Sequence, residues 1–172
     1  MVNLVDDLKQ RARRLHRRGT AGDPEAIARL RALPELSELD DAKVASSARR
    51  RHALSALARA LGFDGWPHAK AVLSGDSVRD RGVLMFREHG GAYWNIWSAD
   101  YDEAARIRRE HGGYLLPYKH QFMVVEAPFV ASLGLDPDDP DWDAIGRDWL
   151  APADRAAWSR LTHAAIEARL DR

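Results

Sequence analysis

The residues of this chain best suited to chemistry are Tyr118, Lys119 and His120, which precede a predicted strand. An imidazole exchanges protons near neutral pH, and an amine and a phenol can donate to a developing anion. Glu126 would share a strand face with His120 but lie about 20 Å away, too far for a catalytic pair. We favour polar residues in an exposed hairpin turn as the interpretation, and keep a catalytic turn as the alternative.

Aromatic side chains form the second candidate site, around Tyr93, Trp94 and Trp97. Alternation in a strand puts Tyr93 and Trp97 on one face and Trp94 on the other. We expect one of the two Trp residues to be buried and the other to be available for stacking on a sugar, base or planar partner. A purely structural core is the favoured interpretation, although a core alone does not need Trp on both faces. The predicted ligand-binding residues are Tyr93, Trp94, Trp97, Tyr118, Lys119 and His120.

An acidic run, 136–143, invites comparison with a calcium-binding loop. The pattern fails, because the sixth loop position is Ala144 rather than Gly and the twelfth is Leu150 rather than Glu. We predict instead that Asp139 or Asp141 caps the following helix.

Several motifs with established chemistry do not occur in this sequence. The chain has no Gly-rich phosphate loop, no Gly-x-Ser-x-Gly, no His-Glu-x-x-His and no dinucleotide fingerprint. It has no Cys, which excludes disulfides, a thiolate metal site and a Cys nucleophile. We therefore predict no cofactor and no metal site.

Arginines dominate two stretches of the first half. Arg11, Arg14 and Arg18 recur at helical spacing, and three more follow at 49–51. Such a row can track phosphates, but no aromatic residues interleave with it, and the turn 61–67 is bulky for a helix-turn-helix. A solvated helix face is favoured over nucleic-acid binding.

Charge is distributed unevenly along the 172 residues, although the net charge is zero. Residues 1–75 hold 14 Lys and Arg against 9 Asp and Glu, giving +5, whereas residues 76–172 hold 12 against 17, giving −5. This balance argues against a globally basic nucleic-acid binder. The opposite halves can attract each other within one chain or between two copies, which keeps a homo-oligomer open.

The amino-terminal residues and the hydropathy bear on location. Asp6, Asp7 and Lys9 interrupt the apolar core that a signal peptide needs, and no stretch approaches the roughly 18 apolar residues of a membrane span. We expect a cytoplasmic protein without a membrane partner.

Periodicity predicts helices alone for residues 1–75. Gly19 and Gly22 should end the first helix, Asp23 and Pro24 should start the second, and a third should run over 41–61. Phe63 and Trp66 should close the end of the helical core.

The pattern changes after a polar stretch at 74–81, which is the predicted domain boundary. Short apolar or aromatic runs predict strands at 83–86, 93–97, 114–116 and 121–125. Helices are predicted at 102–111, 127–133, 142–150 and 153–170. The fold class is α+β: a helical unit, 1–75, then an α+β domain, 82–172, with a small mixed or antiparallel sheet and helices on one face.

The phrase Gly-Phe-Asp-Gly-Trp-Pro at 62–67, with Gly-Asp-Pro-Glu-Ala at 22–26, resembles a helical region found ahead of ankyrin-type repeats in some bacterial proteins. The resemblance covers about the first 75 residues, and no ankyrin repeat follows. It implies a helical packing or interaction unit and carries over no catalytic residue.

The leading functional prediction is a non-enzymatic protein that binds a protein or small-molecule partner. The alternative is a small metal-independent hydrolase or transferase that uses Tyr118, Lys119 and His120. A nucleic-acid-associated protein using the Arg-rich helices is the third prediction.

Overall fold

The computed structural model describes residues 3–76, 82–85 and 93–170. The chain divides into two compact units, one over 3–74 and one beginning at Gly75. The fold is α+β, as predicted, with helices in the first unit and a three-stranded antiparallel sheet with helices in the second. Residues 77–81 of the predicted boundary lie outside the described residues, so the assignment 1–75 and 82–172 stays a prediction.

The first unit is built from five helices within residues 3–76: α1 (Leu4–Thr20), α2 (Pro24–Arg31), α3 (Asp41–Ser47), α4 (Arg50–Ala60) and α5 (Trp66–Ser74). Helix α1 begins where the Asn3 side chain accepts the Asp6 N–H. Its stripe of Leu4, Leu8 and Leu15 is buried, as the spacing predicted.

The α1–α2 connection corrects the prediction for one glycine. Gly19 lies inside α1, and a Cβ there would come within 2.5 Å of Leu30 Cδ1, so the glycine lets the two helices approach. Gly22, with φ +84°, takes the left-handed conformation just past the helix end. Asp23 then caps α2 by accepting the Ala26 N–H, as predicted.

The predicted helix over 41–61 is two helices, because the backbone is extended at Ala48 and Arg49. Histidine side chains lie at hydrogen-bond distance from backbone groups at this break. His16 Nε2 lies at hydrogen-bond distance, 3.2 Å, from the buried Ala48 carbonyl, and the Arg49 N–H donates to His52 Nδ1. A long-range partner therefore interrupts a segment whose own residues favour a helix.

Phe63 closes the end of the helical core, with only 2% of its surface exposed. Gly62 precedes it with φ +93°, as expected for a helix stop. Trp66, predicted to share this role, is only half-buried at the start of α5.

The sheet of the second unit has the order β1-β3-β2, with β1 (Asn95–Ser98), β2 (Tyr114–Tyr118) and β3 (Gln121–Val125). Both pairings are antiparallel, and Met123 of β3 lies between Trp97 and Leu116. The remaining helices are α6 (Tyr101–His111), α7 (Ala127–Ser132), α8 (Pro140–Ala144) and α9 (Arg155–Leu170).

The strand predicted at 83–86 is wrong over its described residues, because Val83–Met85 forms a short 3₁₀ helix; residue 86 lies outside the described part of the chain. Gly82 packs so closely on β2 that a Cβ there would meet the Pro117 carbonyl oxygen at 2.6 Å. Since Pro117 has no N–H, this edge cannot complete a regular ladder with another strand. Burial of Leu84 and Met85 accounts for the apolar run.

Helices cover both sheet faces rather than the one face predicted. Helix α6 packs Ala104 and Ala105 against Leu115 and Val124. The opposite face carries Tyr114, whose ring meets Trp142 of α8 at 5.0 Å.

The segment after the acidic run confirms one prediction and corrects another. Asp139 caps α8 by accepting the Asp141 N–H, as predicted. The helix predicted over 142–150 ends at Ala144, because residues 147–149 pair with β2 instead. The Leu115 N–H donates to the Arg147 carbonyl at 2.8 Å, and the Trp149 N–H donates to the Leu115 carbonyl at 3.0 Å.

None of the helices in the described part of the chain combines the length and apolar character needed to cross a bilayer.

Candidate functional site

A tight hairpin places Lys119 and His120 between β2 and β3, after the last cross-strand pair, Tyr118 and Gln121. Both turn side chains are exposed, which confirms the interpretation as an exposed hairpin turn. Lys119 has φ +52°, a conformation that two-residue hairpins require and that glycine adopts more readily. The Lys119 side chain therefore occupies a position where glycine would cause less backbone strain.

Trp97 and Tyr118 meet on one face of the sheet. Their ring centroids are 4.9 Å apart with an interplanar angle of 82°, an edge-to-face contact across β3. The contact arises because the two rings stand on opposite outer strands near the hairpin end, where Trp97 is level with Met123 and Tyr118 with Gln121. Trp97 remains 44% exposed, so the Tyr118 ring orients it without burying it.

The Lys119 ammonium lies 5.4 Å from the centroid of the Tyr118 ring. A cation over an aromatic face is held by the ring quadrupole, typically by about 0.5–1 kcal/mol at an exposed position. Trp97, Tyr118 and Lys119 thus form one continuous surface, which we call the aromatic surface. It combines two apolar rings with a positive charge at one end.

Trp94 and Trp97 are both exposed, at 57% and 44%, so the expectation that one of them would be buried is wrong. The reason is the position of β1 at the sheet edge. The cluster beneath the α6 face is built on Leu115 and Val124 of the other two strands.

Tyr93 does not join the aromatic surface. Its ring packs edge-on against Phe129 of α7, with centroids 5.8 Å apart. This residue anchors the chain entering β1 to a helix, which is a structural contact.

His120 has no hydrogen-bond or ion-pair partner among residues 3–76, 82–85 and 93–170. A catalytic imidazole is normally oriented by a second group, such as a carboxylate or a carbonyl. The described residues also contain no group of three or more side chains that could together hold a metal ion. Within the described residues, no second group therefore orients the His120 ring.

The outer edge of β1 is a feature that the sequence reasoning missed, because strand order is not readable from periodicity. In the described part of the chain, β1 pairs only with β3. Alternate residues of such a strand direct their N–H and C=O groups away from the sheet. Charged side chains are a common protection of an edge strand against pairing with another strand. Residues 93–98 carry no charge and so lack this protection.

Sequence reasoning also missed a buried polar cluster at Tyr101 and Asp148. The Tyr101 hydroxyl donates to Asp148 Oδ2 at 2.6 Å, and Asp148 is only 8% exposed. The other carboxylate oxygen accepts the N–H groups of Leu150 and Ala151. Burial, and secondly the bond to Asp148, raise the pKa of Tyr101 to about 12. With all these groups satisfied, the cluster fixes the 148–151 segment against α6.

The row of Arg11, Arg14 and Arg18 proposed from helical spacing is not a free cationic row. Arg11 Nε lies 2.8 Å from Asp7 Oδ2, and Arg18 pairs with both Asp23 and Glu25. Two of the three arginines are therefore neutralised within the first unit.

Comparisons with protein-family models, curated proteins and solved structures gave no match to this chain.

Proposed function

We propose that this protein is a binding protein that takes a partner polypeptide onto the aromatic surface and the adjoining β1 edge. The observation that carries the proposal is the exposed Trp97 ring, held edge-on by Tyr118. A pre-oriented aromatic ring offers a large contact area and loses little freedom on binding, which is why Trp and Tyr dominate binding hot spots.

The kind of partner follows from the backbone and the charge beside these rings. An extended segment can add to β1 as a further strand, because β1 pairs on one side only among the described residues. Ser98, at the end of β1, lies opposite Phe122, two residues from the hairpin turn. Lys119 therefore stands at this end of the edge, and we propose a partner segment with an acidic side chain that meets it.

The test is selection of extended peptides from a random display library on the whole protein, followed by affinity measurement with purified peptides. We expect apolar, β-prone peptides that contain Asp or Glu. Trp97→Ala should weaken them about 30-fold or more, because loss of a hot spot costs about 2 kcal/mol. Lys119→Gly removes the charge without the strain that Ala would have at positive φ, and should weaken acidic peptides selectively.

His111→Ala provides the matched control, because His111 is exposed at the end of α6 and lies outside the aromatic surface. It should leave peptide affinity unchanged. N-methylation of alternate peptide residues should abolish binding if a strand is added. Peptides that bind Trp97→Ala and the wild type equally would show that the aromatic surface is not the binding site.

A further inference from the structure

The first unit carries seven exposed arginines without carboxylate partners among the described residues. Most of its carboxylates already form ion pairs with other cations: Asp6 with Lys9, Asp7 with Arg11, Asp23 and Glu25 with Arg18, Asp40 with Lys43, and Asp41 with Arg31. Seven exposed arginines of the first unit have no ion pair among the described residues. Arg59 lies in the last turn of α4, and the other six lie on α1 or at the start of α4: Arg13, Arg14, Arg17, Arg49, Arg50 and Arg51. The net charge of +5 over residues 3–74 is therefore concentrated on α1 and at the start of α4.

The two groups of arginines border the same helix junction. His16 of α1 reaches the Ala48 carbonyl at 3.2 Å, immediately before Arg49. Arg13 and Arg17 are four residues apart on α1, so they project from one side of the helix and flank His16 along it. Arg49 therefore directly follows the residue that His16 contacts, and Arg13 and Arg17 lie within one helical turn of His16 on α1.

The pKa of His52 is lowered partly by the same concentration of positive charge. Burial lowers the pKa of His52 first, and the charges of Arg51, Arg49 and His16 lower it further, opposed by Glu35. Helix α4 has no acidic residue in its first turn, where the helix dipole favours one. The free protein keeps this repulsion, and a bound anion would relieve it.

We propose that this basic face, Arg13, Arg14, Arg17, Arg49, Arg50 and Arg51, binds the phosphate backbone of a nucleic-acid duplex. The guanidinium group matches phosphate oxygens with two parallel hydrogen bonds, so arginine suits this ligand better than lysine does. A duplex is favoured over a single strand because α1 and α4 contain no aromatic residue on which bases could stack. Contacts to the backbone alone carry no sequence preference.

This inference is independent of the peptide-binding proposal, since it rests on the first unit and not on the aromatic surface. The second half of the chain has a net charge of −5, which repels a polyanion such as a nucleic acid. Binding should therefore be weak and strongly dependent on salt.

The test is fluorescence anisotropy of a labelled DNA duplex with the whole protein between 50 and 200 mM KCl. With about five phosphate contacts, log K should fall with log salt at a slope of about −4.5. Arg13→Gln/Arg50→Gln removes one arginine from each helix and should make the slope shallower by about 2. Arg14→Gln/Arg17→Gln repeats the test on α1 alone, in case the first double variant is unstable.

Lys43→Gln/Arg106→Gln is the charge-matched control. Both cations are exposed and already pair with carboxylates, Lys43 with Asp40 and Arg106 with Glu110. This variant loses the same net charge and should keep the wild-type slope. The proposal is overturned if the control weakens binding as much as Arg13→Gln/Arg50→Gln, or if the wild type does not bind the duplex at 50 mM KCl. Binding to phosphatidylserine vesicles without binding to the duplex would also overturn it, in favour of a membrane surface.

Discussion

At the scale of single residues, the bond from the Tyr101 hydroxyl to Asp148 makes stability depend on alkaline pH. The folded protein holds the phenolic proton up to a pKa of about 12, whereas an unfolded tyrosine loses it near pH 10. The stabilisation is therefore complete below pH 10 and is lost as the pH rises from about 10 to 12. Tyr101→Phe should lower the free energy of unfolding at pH 8 by about 1–3 kcal/mol, because one oxygen of the buried Asp148 loses its partner.

Urea unfolding of both proteins between pH 8 and 11 measures this effect. Tyr101→Phe should reduce the loss of stability with pH without removing it, because burial also raises the pKa of Tyr114. Identical pH profiles for the two proteins would mean that the Tyr101 hydroxyl does not titrate as the structure indicates.

At the scale of elements, two adjacent glycines connect α6 to β2 under different constraints. Gly112 and Gly113 both have positive φ, +80° and +85°. A Cβ at Gly113 would lie 2.6 Å from the Val125 carbonyl oxygen, whereas one at Gly112 would meet nothing within 4 Å. Each change to Ala should cost about 1–3 kcal/mol, because positive φ is a conformation that residues with a Cβ rarely adopt. Gly113→Ala should cost about 1–3 kcal/mol more, because β3 has to move.

The difference between the two denaturant midpoints isolates this close approach, with Gly112→Ala as the internal control. Equal destabilisation would show that the connection shifts freely and that the contact with Val125 does not limit it.

The elements also show where sequence signals succeed. The strand predicted at 121–125 coincides with β3, because a short apolar run with β-branched residues is bounded there by turn residues. The strand predicted at 83–86 and the helix predicted over 142–150 are wrong, since both depend on how the chain meets β2. The helix predicted over 41–61 breaks at Ala48. The carbonyl of Ala48 lies at hydrogen-bond distance from the side chain of His16, 32 residues earlier.

At the scale of the whole molecule, the chain divides into two compact units, and the division falls between Ser74 and Gly75. We predict that limited proteolysis of the native protein first cuts within 74–81, because a cut there opens neither hydrophobic core. Mass spectrometry of the earliest fragments identifies the cut. First cuts within 41–61 or 91–125 would contradict the predicted boundary.

The sequence by itself determined the features that depend on neighbouring residues. The Asp23 cap, the Gly62 stop, the buried stripe of α1 and the exposed turn at Lys119 and His120 all follow from local backbone and side-chain preferences. The α+β class follows from the change in hydrophobic period along the chain, since each period matches one kind of element.

Only the tertiary structure decided which of these residues meet. Tyr101 and Asp148 are 47 residues apart, and Trp97 contacts Tyr118 across an intervening strand. The exposure of both Trp94 and Trp97 depends on the same assembly. Periodicity assigns a side chain to a face of its own element, whereas burial and partners depend on which distant segment covers that face.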